Sequence, residues 1–165
     1  MARAPRLPQG GPSIFDLDVP DQPTSGRKLI VEADGGSRGN PGAAAYGALV
    51  RDEAGQLLDS EGCTLGVATN NFAEYSGLIA ALEMARAVDP AAEVEVRMDS
   101  KLVIEQSAGR WKIRHPDLKP LAAQVQGLRP LRVRWTWVPR EQNKAADALV
   151  NAALDGSPKP RSSRA

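Results

Sequence analysis

The fold turns on Asp34-Gly35-Gly36-Ser37-Arg38-Gly39-Asn40-Pro41-Gly42, set between two apolar runs, Lys28–Ala33 and Ala43–Val50. In the first run Leu29, Val31 and Ala33 alternate with Ile30, Glu32 and Asp34, which is the period of a strand. That strand ends in a carboxylate. Glycines follow it, and a glycine backbone can approach a ligand closely because no Cβ intervenes. Taken alone, the glycine run reads equally well as a tight turn.

Outward from this stretch, Ala43–Arg51 reads as a second strand, Glu53-Ala54-Gly55 as a turn and Gln56–Leu65 as a third strand, an antiparallel meander. Asn70 or Asn71 is placed to cap a helix running to about Val88, with Leu78, Ile79, Leu82 and Ala85 as its buried stripe. Glu74 lies on the same side, where a carboxylate is costly unless something satisfies it. Glu93–Asp99 alternates again and is a second strand ending in a carboxylate. Ser100 caps the short helix after it, to about Ser107. A helix between the meander and this strand implies a crossover, so the strand should pair parallel to the first. Leu118–Leu128 reads as a further helix and Leu131–Val138 as the last strand, with Leu131, Val133, Trp135 and Trp137 on one face. Arg140–Leu154 reads as a closing helix that packs through Ala145, Ala148, Leu149 and Ala152, and Asn143 and Asp147 stand one turn apart on it.

The fold class expected is α/β, a five-stranded mixed sheet flanked by helices. The chain has 165 residues, room for one domain with a substantial core. Residues 1–27, rich in Pro, Gly and Asp, read as a disordered tail carrying one apolar cluster, Ile14, Phe15 and Leu17. Residues 28–154 form the domain, and 155–165 read as a disordered basic tail. Lys plus Arg number 21 against 20 Asp plus Glu, so a nucleic-acid partner would have to be drawn by a local patch. A single cysteine, Cys63, excludes an internal disulfide and suits a reducing compartment; a cytoplasmic protein with no membrane partner, and a monomer, is expected.

Carboxylates that converge repel one another and stay ionised only if a cation joins them. Oxygen ligands with no nearby Cys or His suit Mg²⁺ or Mn²⁺ rather than zinc. For Asp34 or Asp99 taken singly, a solvated surface position is the better reading.

Four motifs taken together carry more weight. Asp34-Gly35-Gly36-Ser37 with Gly39-Asn40-Pro41-Gly42, then Thr69-Asn70-Asn71-x-x-Glu74, then Asp99-Ser100, then Pro139-Arg140-x-x-Asn143-x-x-x-Asp147 resemble, in order, the signatures of type 1 ribonuclease H. The resemblance covers roughly residues 28–154. It implies a ribonuclease H-like fold with three antiparallel strands and then two parallel ones. It also implies metal-dependent cleavage of the RNA strand of an RNA–DNA hybrid, leaving 5′-phosphate and 3′-hydroxyl ends. Asp34, Glu74, Asp99 and Asp147 match the family's catalytic carboxylates, which hold two Mg²⁺ ions, or Mn²⁺ in their place. By the same resemblance Asp34 bridges both ions, Asp99 and Glu74 complete the leaving-group site, and Asp147 holds the ion that carries the attacking water. Gly35 and Gly36, with Ser37, match the segment that senses 2′-hydroxyls. Asn40 and Thr69 resemble residues that grip a phosphate of the DNA strand, Asn70 one that enters the minor groove. Arg140 and Asn143 complete the expected substrate contacts.

The chain departs from many bacterial members in two ways. Arg140 stands where they carry a histidine on a flexible loop; it can bind a phosphate but cannot shuttle protons at neutral pH. The long basic protrusion is absent, with Arg110-Trp111-Lys112-x-Arg114-His115 as its reduced counterpart, as in compact archaeal-like members. Trp111 there fits either stacking on nucleic acid or covering the core edge. Two alternatives stand beside the nuclease reading: a noncatalytic hybrid- or duplex-binding module on the same fold, and a related nuclease that also cuts double-stranded RNA.

Overall fold

The structure is a computed structural model and describes residues 24–162. Strands β1 (Lys28–Gly39), β2 (Gly42–Asp52) and β3 (Leu57–Ala68) form the meander. Helix α1 (Asn70–Val88) leads to β4 (Glu93–Met98), α2 (Lys101–Ser107) and α3 (Lys119–Leu128). β5 (Val133–Trp137), a single 3-10 turn (Arg140–Gln142) and α4 (Lys144–Leu154) complete the order. The sheet order is β3-β2-β1-β4-β5, with β1–β2 and β2–β3 antiparallel and β1–β4 and β4–β5 parallel. The mixed five-stranded sheet flanked by helices is therefore as expected.

The core lies between the sheet and α1, α2 and α3, where Leu29, Val31, Leu78, Leu82, Val96 and Ile104 are sealed from water. Each such side chain contributes roughly 1.5–3 kcal/mol on burial. α1 is buried almost all round, since the sheet lies on one side of it and α3 on the other. Among the described residues the opposite face of the sheet carries α4 and a small cluster, Ala45, Val150 and Ala153. α4 sits unusually close: a Cβ on Gly47 would lie 2.3 Å from Ala146 O.

Several boundaries differ from expectation, each for a local reason. β1 does not stop at Asp34. It runs on to Gly39, because the glycines pair as strand residues, Gly35 with Tyr46 and Gly36 with Ala45. The cap of α1 is Thr69, whose hydroxyl accepts from Phe72 N at 3.1 Å, which leaves Asn70 free for other bonds. α4 buries Ala146, Val150 and Ala153; of the expected packing residues Leu149 lies against Gly47 and Gly62, Ala145 and Ala152 are half-buried, and Ala148 is exposed. Leu131 and Trp137, expected on one face with Val133 and Trp135, are 50% and 44% exposed.

The C-terminal segment is also more ordered than expected. Lys159 pairs with Gly62 on the edge of β3, and the Arg161 guanidinium donates to Glu61 at 2.8 Å and to Glu83 at 3.1 Å. Ser162 N donates to Asp59, so 159–162 lies along β3, while residues 163–165 fall outside the described residues. At the other end Ser25 N donates to Ala91 O and Arg27 O accepts from Glu93 N. Residues 1–23, with the expected tail and its Ile14-Phe15 cluster, fall outside the described residues.

Candidate active site

β4 creates the site by ending early. Its pairing with β1 stops at Glu32 opposite Arg97, and after Met98 the chain turns through Asp99 and Ser100 into α2. β1 continues, so Asp34 borders a notch that no strand fills. Asp34 is only 7% exposed. It stands opposite Gly47 in the β1–β2 register, on the face that α4 covers. Asp147, in the first turn of α4, meets it there. From the other side the start of α1 presses on the strand: a Cβ on Gly35 would lie 2.2 Å from Ala73 C and 2.3 Å from Glu74 N. Only glycine lets α1 bring Glu74 that close to β1.

A cleft of about 300 Å³ results, lined by Asp34, Glu74, Asp99 and Asp147 together with Gly35, Gly36, Ser37, Asn70 and Arg140. The four carboxylates expected from the sequence thus share one cleft. Burial, and after it crowding, weakens the acidity of Asp34 and Glu74. Asp34 is pushed up to about 8, first by burial, then by the charge of Asp99 and a hydrogen bond with Asp147, against the opposing pull of Gly35 N–H. Glu74 is pushed up to about 7 by burial and the charge of Asp99, partly offset by a hydrogen bond from Ser100. The Ser100 hydroxyl donates to Glu74 while its oxygen accepts from Val103 N at 3.2 Å, so one side chain caps α2 and steadies a carboxylate.

Among the described residues no three acidic groups already form a metal cage. A bound cation would draw such carboxylates together. The donors are all oxygen, which fits a hard divalent ion, and no Cys or His lines the cleft.

Around the cleft, polar residues tie the β1–β2 hairpin to α1. Ser37 N donates to Asn70 Oδ1 at 2.8 Å and Ser37 Oγ to the same oxygen at 3.0 Å, while Asn70 N donates to Asn40 Oδ1 at 3.1 Å. Asn40 and Thr69 lie at the exposed edge, beyond the residues that line the cleft. Arg140 is exposed on its 3-10 turn, 3.9 Å from Asp147 Oδ1. Asn143, expected to touch substrate, does not reach the cleft surface: it is 1% exposed and lies beneath it.

Sequence reasoning missed three neighbours. Asn151 Nδ2 donates to Asp147 Oδ2 at 3.3 Å, a relation that the i,i+4 spacing on α4 could have revealed. Trp137 Nε1 donates to Asp99 O at 3.1 Å, with Lys101 Nζ 5.5 Å from the centre of its ring. Arg38 lines the cleft and pairs with Asp155 at 2.8 Å; nothing in its local sequence signals that position. The basic segment Arg110–His115 is largely exposed, including Trp111, and no helix lies between Ser107 and Lys119. No helix among the described residues is long and apolar enough to cross a membrane.

Known proteins match this arrangement in both sequence and fold. A family model described as reverse transcriptase-like matches residues 32–153. The bifunctional protein Rv2228c of Mycobacterium tuberculosis is 52% identical over 134 residues, covering 79% of this chain and 36% of that protein. The chain thus spans about a third of the length of its mycobacterial relatives. Ribonuclease HI of Halobacterium salinarum is 42% identical over 157 residues, covering 94% of this chain and 78% of that enzyme. The solved structure of LC11-RNase H1 in complex with an RNA/DNA hybrid superposes with a TM-score of 0.74 at 41% identity, over 77% of this chain and 96% of that one. On fold, motif order and these matches, the chain belongs to the type 1 ribonuclease H family.

Proposed function

We propose that this chain is an endoribonuclease that hydrolyses the RNA strand of RNA–DNA hybrids, leaving 5′-phosphate and 3′-hydroxyl ends. Two divalent cations, Mg²⁺ or Mn²⁺, are held by Asp34, Glu74, Asp99 and Asp147. The observation that carries this reading is the convergence of four carboxylates, Asp34, Glu74, Asp99 and Asp147, on one cleft. Four carboxylates against two guanidinium groups, Arg38 and Arg140, leave an excess of negative charge that hard cations would offset. The hybrid bound by LC11-RNase H1, a relative at 41% identity, supports the choice of substrate.

When bound, the ions supply positive charge that makes water nucleophilic at neutral pH and neutralises the leaving oxygen. The protein's own groups do the rest. Asp34, buried on β1, faces Asp99 just past the end of β4 and Asp147 on α4. Ser100 keeps Glu74 oriented through its hydroxyl. Gly35 and Gly36 offer main-chain groups at the cleft wall, suited to reading 2′-hydroxyls. Arg140, exposed beside Asp147, is placed to hold a backbone phosphate. Asn40, Thr69 and Asn70, on the hairpin–α1 rim, face the complementary strand.

The test compares cleavage of strand-labelled hybrid, double-stranded RNA and double-stranded DNA in Mg²⁺, Mn²⁺ and EDTA. Cutting of the RNA strand of the hybrid alone, and only with metal, is expected. Tight binding without cutting would make the chain a duplex-binding module, and equal cutting of double-stranded RNA would make it a broader nuclease.

A further inference from the structure

Asn143 occupies the cap position of α4, where an asparagine side chain ordinarily accepts from the first free N–H groups of the helix. Here it makes no such bond. Its side chain is turned into the protein, and Nδ2 donates to Ala33 O at 2.9 Å and to Asp99 Oδ1 at 3.1 Å. Two acceptors on one side fix which end of the amide faces them. Oδ1 is left buried without a hydrogen-bond partner. The residue therefore forgoes the helix cap and leaves an acceptor unmet, while spanning β1 and the Asp99 carboxylate. Helix stability does not explain that choice.

We propose that Asn143 is a positioning residue for metal binding: it holds the Asp99 carboxylate against β1 so that a cation finds that ligand already oriented. This rests on the metal-dependent reading of the cleft. A neutral amide suits the task. Crowded carboxylates tend to swing apart without a cation, and a donor of no net charge restrains Asp99 while leaving its negative charge for the ion. A lysine or arginine in the same place would neutralise that charge. Because Asn143 is sealed beneath the cleft, an incoming nucleic acid cannot displace it. Trp137 Nε1 secures the main-chain carbonyl of the same aspartate, so Asp99 is restrained at both ends.

The test measures Mn²⁺ binding to the protein alone, counting free Mn²⁺ by electron paramagnetic resonance, and hybrid affinity separately in EDTA. Loss of a group that orients a metal ligand commonly weakens metal binding about 10–100-fold. Asn143→Ala is accordingly expected to weaken Mn²⁺ binding at least about tenfold and leave hybrid affinity in EDTA unchanged. In an Asp99→Asn background the same substitution should have no further effect on Mn²⁺. Asn143→Ser, checked for fold by circular dichroism alongside the alanine variant, serves if the alanine variant does not fold. Loss of hybrid affinity with Mn²⁺ binding intact would make Asn143 a substrate contact and overturn the proposal. A lower melting temperature with Mn²⁺ binding unchanged would reduce it to a structural residue and overturn it equally. Because Mn²⁺ binding is read without substrate, failure here is distinct from failure to cleave a hybrid.

Discussion

Replacing Gly35 by alanine sets a methyl group against main-chain atoms at 2.2 Å from Ala73 C, 2.3 Å from Glu74 N and 2.4 Å from Ala73 O. No side-chain rotation relieves such a contact. To bring the nearest atom out to 3.4 Å, the start of α1 must retreat from β1 by about 1.2 Å. Forced overpacking costs about 1–3 kcal/mol, and a backbone clash belongs at the upper end. In a domain of this size about 3 kcal/mol lowers the melting temperature by roughly 6–12 °C. The helix carries Glu74 with it, and a misplacement of about 1 Å in a catalytic group can cost about 10²-fold in rate. Gly36→Ala is the control. Its new Cβ would meet only Val150 Cγ1, at 3.7 Å, an ordinary contact. Thermal melts followed by circular dichroism, paired with initial rates on labelled hybrid, read both effects. A drop near 10 °C for Gly35→Ala is expected, with Gly36→Ala within a few degrees of the parent. If the two variants melt together, the close approach of α1 to β1 is not what places Glu74.

Other outcomes follow from the same geometry. Asp34 and Glu74 have pKa values raised above their unfolded values of 3.8 and 4.5, so the folded state holds more protons than the unfolded chain up to about pH 8. The stability linked to those protons is fully present below about pH 4 and is lost as pH rises through about 7 and then 8. Melts of the metal-free protein should show this fall, and Asp34→Asn should flatten it while lowering kcat at least about 10³-fold, the loss of several kcal/mol of charge stabilisation. Trp137→Phe keeps an exposed ring but removes the donor to Asp99 O. It should lower kcat several-fold and shift stability by less than about 1 kcal/mol, as steady-state kinetics and urea melts would report. Deleting 157–165 removes the Arg161 bonds to Glu61 and Glu83 and uncovers the edge of β3. It should cost about 1–2 kcal/mol in a urea melt and leave hybrid cleavage unchanged.

The sheet was legible because alternation marks strands directly, as in Leu29, Val31 and Ala33 or Val94, Val96 and Met98. The glycine half of β1 was not. Glycine has little strand preference of its own, and only the partner residues Tyr46 and Ala45 make Gly35 and Gly36 strand. α4 misled for a related reason. With alanine on nearly every face, no apolar stripe fixes its rotation, and the inward face, Ala146, Val150 and Ala153 with the expected Leu149 beside them, is chosen by the space above Gly47. In Thr69-Asn70-Asn71 every residue is a good cap, so composition cannot say which one serves; contact between Asn70 and Ser37 decides it.

At the site, Asp34 and Asp99 were visible as carboxylates ending strand patterns, and Glu74 as an acid placed beside an apolar stripe. Asp147 was visible as an acid one turn beyond Asn143 on the closing helix, and its role came from the motif resemblance. The inward turn of Asn143 could not be read at all. An asparagine opening a helix looks like a cap, and its actual partners, Ala33 and Asp99, are 110 and 44 residues away in the chain. The disposition of the C-terminal segment was hidden similarly. A sequence of Pro, Ser and basic residues resembles a tail until Glu61, Glu83 and Asp59 are seen along its path.

The most direct measurement is a crystal of this protein soaked in Mn²⁺ and examined by anomalous scattering. A peak inside the cleft, with an oxygen of Asp34 within about 2.0–2.3 Å and at least one of Asp99, Glu74 or Asp147 also coordinated, is the expected result. Ordered Mn²⁺ elsewhere on the surface, with the cleft empty and Asp34 turned away from the other three, would contradict it.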